Sequence, residues 1–344
     1  MLEENIFRTE ADDPGSKMDT KDHSFKDFLE SGWRQELISH EEAGTWPEQC
    51  RGCLDIETTG LKSYRLEVIN DKHRHLHVQT GNICDSDCVM CGPQWSTKVM
   101  SRLKMKPDPE KQYLGKTNVP VRSIWNEPAS IENLREAAKW TDHIHFGGGE
   151  PLIDKRIWDF IETIARSDLS ISFVTNLNTL PSARGFELLK SFKNVGMNVS
   201  IDATGRLYEW IRHGLSYKRV MTNLATIKTM GIGAAINCEV QAHNVANIPA
   251  HHSVFSGLGF LPDYYFVDRP KLLQASNAPK HVIERAIELL PKNVNEQLLL
   301  GLRYSLKKHD PQMSVRLMKH TEYLNFHRKD LRFDCDAWEV FLGA

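Results

Sequence analysis

The sequence predicts an α/β fold built on a parallel sheet, and three observations carry that prediction. Between residues 75 and 270, short apolar runs alternate with longer amphipathic stretches in six β–α units. Each helical crossover brings the chain back to start the next strand in the same direction. The segments that follow the strands are rich in glycine, cysteine and asparagine: Asn82 and the cysteines beyond it, Gly147 to Glu150, Thr175-Asn176, Ser200 to Asp202, and Gln241 to Asn244. An open doubly wound sheet and part of a barrel both fit, and both gather ligands at the carboxyl ends of their strands.

Residues 1–25 are polar and partly acidic, the composition of a disordered tail. Residues 26–74 read as a helical lead-in punctuated by Pro47 and Gly60, and carry a CxxC pair, Cys50 and Cys53. HLHVQTG (75–81) is the first strand and WSTKVMSRLK (95–104) the first helix. Residues 103–127 hold three prolines and little periodicity, which predicts an inserted loop or lid. Strand HIHFGGG (143–149) then leads to helix DKRIWDFIETIARS (154–167), and strand SISFVTN (170–176) to helix ARGFELLKSF (183–192). Strand GMNVSID (196–202) is followed by helices around YEWIRHG and YKRVMTNLATIKTMG, and strand AAINCEVQA (234–242) by helix VANIPAHHSVFSG. DYYFVDR (263–269) closes the series, and residues 271–344 form a mostly helical C-terminal extension.

Lys and Arg total 43 against 45 Asp and Glu, with no dense basic run, so nothing asks for a nucleic-acid partner. The N-terminus lacks the basic start and apolar run of a signal peptide, and no later segment approaches membrane-spanning length. A soluble cytoplasmic protein is the expectation. Seven cysteines, an odd number without an export signal, favour metal or redox chemistry over a disulfide framework.

Three of them crowd into GNICDSDCVMCGP (81–93) as Cys84, Cys88 and Cys91. Cys-x-x-x-Cys-x-x-Cys after a strand can wrap three thiolates around one side of an inorganic cluster. A zinc site wants a fourth ligand, for which His75 and His77 are the nearby candidates, whereas a four-iron cubane held at three corners keeps one iron open.

With this motif the sequence resembles the radical S-adenosylmethionine (radical SAM) enzymes, specifically their twitch-domain branch, over about residues 75–270. The resemblance implies a partial (β/α)6 barrel of the radical SAM type and a [4Fe–4S] cluster on Cys84, Cys88 and Cys91, whose open iron chelates SAM. It also implies reductive cleavage of SAM to a 5′-deoxyadenosyl radical that abstracts hydrogen from a substrate, with electrons from a donor such as flavodoxin or ferredoxin.

The resemblance assigns further cofactor contacts. FGGGEP (146–151) supplies Gly148, Gly149 and Glu150 to the methionyl amino group, since glycines allow close backbone approach and a carboxylate accepts from an ammonium. The bland reading is a glycine-rich turn with a helix-capping acid. Ser200 and Asp202, two residues apart on one face of a strand end, fall to the ribose or carboxylate. Arg212 falls to the SAM carboxylate, its fork matching that group, against the plain reading of a surface arginine. Asn176, Asn244 and Val245 take the adenine and ribose sides, although asparagine at a strand end is also a common turn residue. Met90 stands where many relatives carry an aromatic residue, and its thioether can fill that place.

An auxiliary cluster on Cys50, Cys53 and Cys335 competes with zinc at the CxxC pair and with unligated thiols. Cys238 reads as a buried apolar-like residue within its strand. The twitch resemblance tilts the substrate toward a peptide or protein, with sugars and nucleotides open. A non-catalytic zinc- or cluster-binding module and a SAM-dependent transferase on the same fold are the rival functions.

Overall fold

The computed structural model describes residues 23–58, 60, 74–105, 124–292, 294–328 and 331–333. Most of the expected N-terminal tail, most of the 103–127 insertion and Cys335 lie outside the described residues. Six strands form one sheet in chain order: β1 (His75–Gln79), β2 (His143–Gly147), β3 (Ser170–Thr175), β4 (Asn194–Ser200), β5 (Gly233–Val240) and β6 (Asp263–Phe266). The sheet is parallel, and this is the architecture of a partial (β/α)6 barrel.

The chain divides into two compact units. The first comprises residues up to 81, 122–173 and 181–195, and the second comprises 82–121, 174–180 and 196 onward.

In the first unit, helices α1 (Phe25–Leu29), α2 (Gly32–Glu42) and α3 (Arg51–Thr58) precede β1. Ser24 starts α1 with a capping box to Asp27. Helix α6 (Lys155–Ile164) shows how the β–α units are held. Asp154 caps it, and Ile157, Phe160, Ile161 and Ile164 are buried along one stripe. Phe160 meets Phe146 of β2, and Trp158 stacks on Phe173 of β3 with ring centroids 5.8 Å apart. Each such aromatic pair adds about 1 kcal/mol beyond the area it buries. Helix α7 (Ala183–Leu189) starts on a Ser182 cap.

The second unit holds α4 (Thr97–Met105), α8 (Gly205–Ile211), α9 (Tyr217–Thr229) and α10 (Ile248–Gly257). It also holds three C-terminal helices, α11 (Lys280–Leu289), α12 (Glu296–Lys307) and α13 (Pro311–His327). In β5 the side chains alternate sharply. Ile236, Cys238 and Val240 are fully buried, while Asn237 and Glu239 on the other face are partly exposed.

Two differences from the sequence reading have local causes. Strand β5 ends at Val240, because the Gln241 N–H donates to the Asn244 side chain instead of a neighbouring strand. Helix α5 (Pro128–Trp140), which no sequence segment announced, starts with Pro128 in its first turn and buries Leu134, Ala137 and Ala138. Its small residues give a weak apolar stripe. Among the described residues no helix is long and apolar enough to cross a membrane.

Candidate functional site

The three-cysteine segment is a tight loop in the second unit. Asn82 donates to the Pro93 carbonyl at 2.9 Å and Thr97 N–H to the Asn82 carbonyl at 2.8 Å, so the loop closes on the start of α4. Ser86 lies between two of the sulfurs, its Oγ 3.1 Å from Cys84 Sγ and 3.3 Å from Cys88 Sγ. A hydrogen bond from the Cys91 thiol, helped by the Arg212 charge, lowers the Cys88 pKa to about 7; the same hydrogen bond and burial push the Cys91 thiol well up. Met90 is partly exposed between them. Among the described residues no group of three or more His, Cys, Asp or Glu side chains is placed to hold a single metal ion.

Residues 87–88 pair antiparallel with 212–213, which sets Cys88 directly opposite Arg212. Arg212 is 9% exposed. Its Nε and Nη2 donate to the two carboxylate oxygens of Asp202 at 2.7 and 3.1 Å, and its Nη1 points to Cys88 Sγ at 3.9 Å. The fork expected to meet a ligand carboxylate is therefore locked on Asp202 along one edge and faces the thiol with the other. Burial alone would lower the Arg212 pKa; the charges of Asp202 and Cys88 raise it well above the usual value.

Asp202 is fully buried and also accepts from the Glu239 N–H at 3.0 Å. Ser200, the last residue of β4, is opposite Asn237. The Asn244 amide is spent on the protein: its Nδ2 donates to the carbonyls of Asp202 and Glu239 at 2.7 and 2.8 Å. Its Oδ1 accepts from Gln241 N–H at 2.8 Å, so this side chain ties the ends of β4 and β5 together. Val245 is fully buried at the start of the next turn.

Asn176 reaches the cysteine loop itself. Its Nδ2 donates to Asp85 Oδ1 at 2.7 Å, and Asn178 donates to Asp85 Oδ2 at 3.1 Å. Between them Leu177 adopts φ 53°, the only positive φ of a non-glycine residue among those described. Such a backbone costs about 1 kcal/mol or more, and here it lets both flanking amides grip one carboxylate.

Gly148, Gly149 and Glu150 belong to the first unit, at the end of β2. Gly149 N–H donates to the Gly81 carbonyl at 2.7 Å. Gly148 has φ +117°, and a Cβ there would lie 2.9 Å from the Gly81 carbonyl and from two Thr80 atoms. One Glu150 oxygen accepts from Leu152 N–H at 3.2 Å, the capping role of the bland reading, and the residue is 2% exposed. His75 and His77 face His143 and His145 across β1 and β2, with Ser172 bonded to both of the latter. Cys50 is buried and Cys53 partly exposed on α3 and the turn before it.

Three functional candidates, Asp85, Ser86 and Glu239, escaped the sequence reading, and a fourth, Gln241, entered it only within a strand-end segment. Asp85 and Ser86 sit inside the cysteine loop, where acid and hydroxyl look like ordinary loop residues. Glu239 shares the polar face of β5 with Asn237, and its period-2 alternation was the available signal. Burial beside Asp202 raises its pKa to about 7. Gln241, singled out only as part of a strand end, is fully buried with neither amide atom hydrogen-bonded. A buried amide left so costs about 1–3 kcal/mol per group, and a polar ligand at this strand end removes that cost. The donor set thus fits the implied groups: three sulfurs, two of them buried, a guanidinium beside one, and an unspent amide at a strand end.

Residues 78–240 match the family model described as the Radical SAM superfamily. Among solved structures, Streptococcus suis SuiB bound to S-adenosylmethionine is similar at 14% identity and a TM-score of 0.38, over 67% of this chain and 50% of that one. SuiB bound to its precursor peptide SuiA is similar at 14% identity and a TM-score of 0.39, over 69% of this chain and 50% of that one. The native anSMEcpe with bound AdoMet and Cp18Cys peptide is similar at 12% identity and a TM-score of 0.37, over 55% and 49%. The chain spans about half the length of these structures. No curated protein matches the chain.

Proposed function

We propose, from the match of residues 78–240 to the Radical SAM superfamily model, that the chain is an enzyme holding a [4Fe–4S] cluster on Cys84, Cys88 and Cys91 and SAM at the open iron. The observation that carries this reading is the Cys88–Arg212 pairing, which sets a thiol of the motif against a guanidinium held by Asp202. When bound, cluster and SAM together supply a 5′-deoxyadenosyl radical for hydrogen abstraction.

The chain's own residues have distinct tasks in this reading. Arg212 balances the thiolates that ligation requires. Asp85, gripped by Asn176 and Asn178, fixes the loop so that three sulfurs are presented together. Gln241 and Ser200 offer hydrogen bonds to the sugar or base of SAM, while Asn244 and Val245 act as positioning residues behind them. Gly148, Gly149 and Glu150 serve the methionyl amine, and Met90 packs beside adenine. The segment 75–270 is the catalytic core and 271–344 the twitch-like extension, with a peptide or protein as substrate and a flavodoxin- or ferredoxin-like donor in the cytoplasm. Cys50, Cys53 and Cys335 remain candidates for an auxiliary cluster or zinc.

Anaerobic reconstitution with iron and sulfide, reduction by dithionite with SAM and chromatography for 5′-deoxyadenosine test the reading. Formation that disappears in a C84A/C88A/C91A variant supports it. A methylated or aminocarboxypropylated product without 5′-deoxyadenosine points to a transferase, and a zinc-loaded protein that never cleaves SAM to a binding module.

A further inference from the structure

The residue after Ser86 in the cysteine loop is Asp87, and the C-terminal extension converges on it. Helix α13 ends at His327, and the next residue, Arg328, is fully buried. Its guanidinium donates to the backbone carbonyls of Trp210 and Asp87, stacks 5.1 Å from the Trp210 ring, and lies 3.9 Å from Asp87 Oδ2. These contacts reach both sides of the short ladder in which Cys88 faces Arg212, since Trp210 leads into one side and Asp87 belongs to the other. Arg102 completes the arrangement, its Nε 2.8 and 3.0 Å from the Asp87 oxygens and its Nη1 3.3 Å from Tyr323 Oη on α13. Asn325 of α13 accepts from the Trp210 indole at 2.9 Å.

We infer that the C-terminal extension is a clamp on the cluster loop, with Arg328 as the positioning residue that holds Asp87 and biases the electrostatics at Cys88. The inference rests on the cluster-binding reading above and deepens it. Two guanidiniums, Arg102 and Arg328, share one carboxylate, so a net positive charge is fixed beside a cluster ligand in a buried setting, where charge interactions are weakly screened. Reduction adds one negative charge to the cluster. A fixed positive charge nearby therefore favours the reduced form and raises its potential; a fixed negative charge lowers it. Charge changes at the two ends of the Arg328–Asp87 contact should then shift the potential in opposite directions, which a scaffold acting through packing alone would not do.

The test is redox titration of the reconstituted full chain followed by the electron paramagnetic resonance signal of the reduced cluster, with iron content and circular dichroism recorded alongside. Arg328→Met should lower the potential, on the order of a tenfold change in the reduced-to-oxidised ratio, or about 59 mV for one electron. It should also load less iron. Arg328→Lys, which keeps the charge but not the fork, should restore the potential more fully than the iron content. Asp87→Asn should raise the potential, and it reads the sign independently if Arg328→Met fails to fold. A native cluster whose potential is unmoved in these variants, or moves the same way in Arg328→Met and Asp87→Asn, overturns the clamp alone. A native chain that takes up no [4Fe–4S] cluster overturns the underlying reading and the clamp with it.

Discussion

Arg212 and Cys88 face each other across a ladder only two residues long, with Nη1 and Sγ 3.9 Å apart. The arginine cannot swing away, because Asp202 holds its other edge at 2.7 and 3.1 Å. Replacing Arg212 by Met leaves the fully buried Asp202 carboxylate without its counter-charge. Breaking one side of a buried pair typically costs about 3–5 kcal/mol. Urea unfolding of the iron-free protein should show a loss of this size, with Arg212→Lys between the two, and an unchanged midpoint would contradict the assignment.

Asp85 should behave as a keystone of the loop. Asp85→Ala removes an acceptor from both Asn176 and Asn178, and losing a buried hydrogen bond to a charged group costs about 1.5–3 kcal/mol. The expected outcome is a loss of about 2 kcal/mol in unfolding free energy together with poorer iron uptake. Stability lost with normal iron uptake would place Asp85 in the scaffold only.

Glu239 predicts a pH dependence. Its pKa is raised, first by burial and then by the Asp202 charge, from an ordinary 4.5 to about 7. The folded state therefore holds this proton more tightly than the unfolded chain does. The corresponding stability is fully present below the unfolded value and is lost as pH rises through about 7. Between about pH 5 and about pH 8, the native protein should lose stability relative to Glu239→Gln. Parallel pH profiles for the two proteins would show that the carboxyl titrates normally.

At Gly148, where φ is +117° and a Cβ would press on the Gly81 carbonyl and Thr80, alanine should destabilise by more than about 2 kcal/mol. Gly205 has φ +56° and open space around its missing Cβ, so Gly205→Ala should cost only about 1 kcal/mol. Thermal unfolding of the two variants makes the comparison, and equal losses would mean that contact with Thr80 and Gly81 plays no part.

The order of strands was legible because burial on alternate residues and helical stripes leave different periods in sequence, as at Ile236-Cys238-Val240 and at Ile157-Phe160-Ile161-Ile164. Helix α5 was not, because alanines and charges make a faint stripe. Among site residues, the cysteine spacing was plain from sequence alone. The engagement of Arg212 with Asp202, and of Asn244 with strand-end carbonyls, was not, because a sequence shows that a polar group is present but not which atoms are already spent. Asp85 and Arg328 escaped for a related reason: their partners are distant in sequence, and nothing local marks them.

The most direct test of the central claim is the electron paramagnetic resonance spectrum of the reduced, reconstituted protein recorded with and without SAM. An open iron at a three-cysteine cluster predicts a [4Fe–4S] signal that changes shape when SAM is added and is absent from the C84A/C88A/C91A variant. A cluster signal indifferent to SAM, or no iron–sulfur signal at all, would contradict the account.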